Sequence, residues 1–152
     1  MRRPEGVEPQ VFLLSDYGYP GYAAFILASD RIIADDPETV QAFVDASIKG
    51  WVSYLYGDPS PANALIKRDN PEMTDDVIAN AINLMKENGI VDSGETLTLG
   101  VGAMTDARWK QFYDEMVEAG VYDASLDLHS AYTLEFVNRG VGLDLKKELM
   151  GE

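Results

Sequence analysis

A chain of 152 residues with 46% apolar and 25% charged side chains can bury one ordinary core, and it has no room for two complete lobes. Its 26 acidic against 12 basic residues give a net charge of -14, which repels phosphate backbones, so nucleic acid is excluded as a partner. The absence of cysteine removes disulfides, thiolate nucleophiles and iron-sulfur ligation, and no run approaches the roughly 18 apolar residues that cross a bilayer, so membrane insertion is not expected.

The opening Met1-Arg2-Arg3-Pro4-Glu5-Gly6 passes into Pro and Glu where a secretory signal turns apolar. The expectation from this start is a protein that stays inside, or a chain that is incomplete. Val11-Phe12-Leu13-Leu14 reads as a short strand that ends in the turn-rich Ser15-Asp16-Tyr17-Gly18-Tyr19-Pro20-Gly21. Tyr22 to Ala28 follows as an unbroken apolar run of strand length, the pattern of a strand covered on both faces.

Asp36-Pro37-Glu38 supplies a cap, a proline for the first turn and an acid at the positive end of a helix. Val40, Phe43, Val44, Ile48, Trp51, Val52 and Leu55 recur at threes and fours as one inward stripe, and Gly57 stands where a left-handed C-cap belongs. A second helix is predicted from Ser60 as cap and Pro61 to Arg68. Thr74 with Asp75 and Asp76 opens a third, with Val77, Ile78, Ala81, Ile82 and Met85 inward and Gly89 beyond its end. Residues 90–104 read as a loop containing one exposed strand at Thr96-Leu97-Thr98-Leu99. Thr105-Asp106 caps a fourth helix with Trp109, Phe112, Tyr113, Met116 and Val117 inward, and Gly120 ends it. Two further helices are predicted, one from Asp127 towards Arg139-Gly140 and one over Leu143 to Met150. The sum is an α/β chain with few strands and about five helices.

Chemistry by general acid and base has little to work with. His129 is the sole histidine, and no nucleophile or carboxylate is placed by motif to form a triad with it. The carboxylate pairs Asp35-Asp36 and Asp75-Asp76 fall where helix caps want negative charge. Gly100-Val101-Gly102 lacks the third glycine and the strand-to-helix setting of a dinucleotide loop. No enzyme activity, cofactor or metal site is therefore read from these residues. The loop bearing Tyr17, Gly18, Tyr19 and Tyr22 differs, because planar amphipathic rings on a bent backbone between two strands suit the stacking of a flat solute. Those four residues are the candidate ligand-binding positions.

The segment order carries a resemblance. Val11 to Gly18, Tyr22 to Ala28, Asp36-Pro37-Glu38-Thr39-Val40-Gln41-Ala42-Phe43 and the Gly50-Trp51 pair resemble the later half of NMT1/THI5-like proteins. Gly102-Ala103-Met104-Thr105-Asp106, Arg108-Trp109, Glu118-Ala119-Gly120 and Ala131 to Val137 are similar to that family's C-terminal pattern. The resemblance implies the C-terminal portion of a solute-binding protein of type II periplasmic-binding fold, in which a hinge closes two lobes on a ligand. In that arrangement residues 1–21 belong to the second lobe and hinge, and residues 22–152 return to the first lobe and the C-terminal helices. It further implies a periplasmic receptor of an ABC importer, partnered by a permease and a small nutrient such as a thiamine pyrimidine precursor or a related heteroaromatic. Two alternatives accompany it: a thiamine-pyrimidine synthase-like enzyme on the same fold, whose cysteine-rich motif is missing here, and a truncated interaction domain. An all-helical chain would contradict this picture.

Overall fold

The computed structural model describes Gln10 and residues 12–152. The opening Met1 to Gly6 and Val11, the first residue of the first expected strand, lie outside the described residues.

Among the described residues there is no strand, and the α/β expectation of a partial type II periplasmic-binding-protein fold is overturned. Each expected strand has its own physical reason for failing. Leu14–Tyr17 winds into a 3-10 turn closed by Gly18 at φ 89°, whose N–H donates to the carbonyls of Leu14 and Ser15. Tyr22 to Ala28 is neither helix nor strand, because a strand exists only when a neighbour accepts and donates along its edge, and none does so among the described residues. Thr96–Leu99 closes one helical turn, since its threonines bond back to the Ser93 and Glu95 carbonyls instead of facing a partner strand.

Seven α-helices follow from Ser29 onward. Ser29 caps the short α1 (Asp30–Asp35), an element hidden by the apolar run before it. Asp36 then accepts from the Thr39 N–H and hydroxyl at 3.1 and 2.7 Å and starts α2 (Pro37–Tyr56) as expected. The Thr39 hydroxyl and backbone donors hold the exposed Asp36 carboxyl below its usual range. Helix α2 buries Val40, Val44, Ile48, Val52 and Leu55. Phe43 and Trp51, assigned inward by spacing, are instead 61% and 43% exposed, because they flank the stripe. Gly57 ends α2 at φ -103°, outside the left-handed region.

Helix α3 (Ser60–Asp69) begins at Ser60, whose N–H is taken by Asp58, so Ser60 is the first helical residue and not the cap. Thr74 caps α4 (Asp75–Glu87), which buries Ile78 and Ile82. After α5 (Thr96–Leu99), Thr105 caps α6 (Asp106–Glu118). The helix expected from Asp127 to Arg139 shrinks to the 3-10 turn Leu128–Ser130, and α7 (Leu143–Met150) closes the chain.

The core gathers Val40, Val44, Ile48 and Val52 of α2 with Val101 and Phe136, and Val141 and Leu145 pack against it. Polar ties hold the loops to this frame. Asn138 pairs reciprocally with the Met104 backbone at 3.1 and 2.7 Å, and Gly140 N–H donates to the Leu99 carbonyl. Asp92 accepts from Lys146 and Tyr56, both at 2.6 Å, and from Thr96 at 3.0 Å, joining α7, α2 and α5. No helix among the described residues is long and apolar enough to cross a membrane.

Candidate functional site

The N-terminus of α6 fixes the geometry of everything around it. Thr105 accepts the Arg108 N–H and donates its hydroxyl to Glu95, while its own N–H donates to the Tyr22 hydroxyl at 2.9 Å. A tyrosine from 83 residues away thus satisfies a helix-end donor that a local Glu or Gln satisfies in an ordinary capping box. Arg108 reaches in the opposite direction, donating through Nε to the Pro20 carbonyl at 2.6 Å and through Nη2 to the Gly21 carbonyl at 3.2 Å. Its guanidinium also lies 4.2 Å from the centre of the Tyr22 ring, a cation–π contact. These bonds strap residues 20–22 across the start of α6.

Aromatic rings then accumulate on the strapped face. Trp109 lies at the centre: Tyr132 stacks on it at 4.6 Å and 5°, Phe25 at 5.2 Å and 29°, and Tyr22 tilts against it at 5.7 Å. One turn on, Phe112 meets Tyr19 and Tyr122 edge to face at 5.7 and 6.1 Å. Gly21 makes the Tyr19 position possible, because a Cβ there would lie 2.5 Å from the Tyr19 ring. Tyr132 is held by its hydroxyl on Asp106 at 2.6 Å, and that hydrogen bond to a carboxylate pushes its pKa up to about 12.

Two concavities open on this face. One of about 280 Å³ is lined by Tyr22, Phe25, Trp109, Phe112 and Tyr122. The other, about 260 Å³, shares Trp109, Phe112 and Tyr122 and reaches Leu126, Asp127 and Ser130. The Trp109 indole Nε1–H is buried without a hydrogen-bond acceptor among the described residues. Among the described residues no lysine or arginine lines either cavity, and Arg108 is committed to the strap. Such walls suit a flat, uncharged ring. Among the described residues no cluster of three His, Asp or Glu side chains could hold a metal ion.

Of the four residues expected to bind ligand, Tyr19 and Tyr22 join this face and Tyr22 lines the first cavity. Tyr17 turns away, 73% exposed beside Phe12, and Gly18 serves the 3-10 turn. Phe25, Arg108, Trp109, Phe112, Tyr122 and Tyr132 were not singled out for ligand contact. The signal for Trp109 and Phe112 lay in α6, where their spacing read as a core stripe although neither is fully buried.

The comparisons with known proteins agree with this chain's segment pattern. The model of the family described as NMT1/THI5 like matches residues 1–62. The chain is related to the NMT1/THI5-like proteins. The riboflavin-binding protein RibY of Chloroflexus aurantiacus is 31% identical over 139 residues, which cover 91% of this chain and 39% of RibY. The chain therefore spans about two fifths of that relative's length. No solved structure matches.

Proposed function

We propose that this NMT1/THI5-like chain is the C-terminal portion of a solute-binding protein and takes a planar, uncharged heteroaromatic solute against the aromatic face of α6. One observation carries the reading: a cavity of about 280 Å³ walled by Tyr22, Phe25, Trp109, Phe112 and Tyr122. A stacked ring buries its faces on these walls. The net charge of -14 and the lack of a lysine or arginine among the described residues of the wall argue against oxyanions such as nitrate or sulfonates. The name of the riboflavin-binding relative supports a ligand of this shape, and a thiamine-type pyrimidine meets the same requirements.

The finer reading is a periplasmic receptor that hands its solute to an ABC permease, without catalysis. A second reading, an interaction domain, draws on the exposed apolar side chains between Phe12 and Leu27, the last of them 96% exposed.

A thermal-shift panel tests the main reading. Riboflavin or a thiamine-type pyrimidine at about 100 times its dissociation constant should stabilise the chain by about 2.7 kcal/mol, and Trp109→Leu should abolish the shift. Stabilisation by nitrate or taurine with none by any aromatic ring would overturn it.

A further inference from the structure

Phe25 lines the cavity and also covers a face of the Trp109 indole on which a solute ring could stack. Two rings stack on Trp109, and they are held in different ways. Tyr132 lies within 5° of parallel at 4.6 Å and is anchored by its hydroxyl on Asp106. Phe25 sits 29° from parallel at 5.2 Å, is 54% exposed, and belongs to residues 22–28, which make no backbone–backbone hydrogen bonds among the described residues. The anchor of that segment is at its start, where Arg108 grips the Pro20 and Gly21 carbonyls and Tyr22 accepts the Thr105 N–H. Beyond Tyr22 only side-chain contact holds the segment down, and Ser29 secures its far end by capping α1. The segment is tethered at both ends and loose in the middle, with an imperfectly stacked ring at its loose part.

We infer that Phe25 is an internal plug: it covers the Trp109 indole in the free protein and swings out when a planar solute takes its place. The inference rests on the solute-binding reading and adds its regulation. A plug competes with the solute for one ring face, so the apparent affinity falls by the fraction of time the face is covered. A single aromatic pair is worth about two- to tenfold in such a competition. Arg108 and Tyr22 serve as the hinge that keeps the displaced segment close to the site.

The test uses Trp51→Phe as background, leaving Trp109 as the sole tryptophan, and riboflavin as the probe. Phe25→Ala, at a half-exposed position, should leave the fold intact, raise acrylamide quenching of Trp109, and tighten riboflavin binding about two- to tenfold in calorimetry. Phe25→Leu, which covers without stacking, should fall between the two. Unchanged or weaker binding by Phe25→Ala, with the background protein still binding, makes Phe25 a wall of the site and overturns the plug while the solute reading stands. Failure of both proteins to bind riboflavin or a thiamine-type pyrimidine overturns the solute reading and the plug with it.

Discussion

Asp92 ties three helices together through one carboxylate. Its side chain is 5% exposed and accepts from Lys146, Tyr56 and Thr96. Burial pushes its pKa up, but the donated hydrogen bonds and the Lys146 charge outweigh burial, so the carboxyl titrates below its usual value. Lys146 shifts upward for the matching reason, chiefly its bond to Asp92. A folded pKa below the unfolded one contributes stability that is complete above about pH 4 and is lost as pH falls through the folded value. Asp92→Asn should therefore cost about 1–3 kcal/mol at pH 7, read by urea denaturation, and flatten the loss of stability below pH 4. An unchanged acid limb would place the titrating group elsewhere. Little of this was legible beforehand, because Asp92 and Lys146 are 54 positions apart and neither sits in a motif. The candidate site was half legible for a related reason. A tyrosine-rich loop announces rings but not directions, and the 3-10 turn sends Tyr17 to solvent while Gly21 lets Tyr19 fold back.

At the level of elements, capping chemistry was read correctly at three helix starts and missed at Ser29, whose side chain caps α1. Asp36, Thr74 and Thr105 each accept the N–H three residues on. The strands were misread because an apolar run states only that a segment avoids water, and pairing depends on a neighbour that local sequence does not name. Thr96–Leu99 alternated like a strand and coiled, and α1 hid behind the run preceding it. The packing of α7 on α2 offers a clean test of element geometry. Gly142 precedes α7 at φ +83°, and a Cβ there would lie 3.1 and 3.2 Å from Val52 and Ile48 Cγ2. Gly151, at φ +75°, has open space around it. Gly151→Ala should cost about 1 kcal/mol of backbone strain, whereas Gly142→Ala should cost about 2–4 kcal/mol because the α2 core must also shift. Equal melting-temperature losses for the two variants would mean that α7 does not press on α2 as described.

For the whole molecule, the family relation was legible in the order of short motifs, while the α/β architecture drawn from that relation was not what the described residues adopt. A core built from α2, the turns around Val101 and Phe136, and the buried Ile78 and Ile82 of α4 leaves the aromatic face of α6 and the apolar segment before α1 only partly covered. That distribution separates the two tryptophans: Trp109 stands at the centre of the ring cluster, and Trp51 lies on the outer side of α2 beside Tyr54. Their indole N–H resonances in a nitrogen-15 correlation spectrum, followed during a riboflavin titration, test the central claim most directly. Solute binding at the α6 face predicts a saturable shift of the Trp109 indole as a solute ring packs against it, with the Trp51 signal left in place. A spectrum in which Trp51 alone moves, or in which neither indole moves at saturating riboflavin, would contradict it.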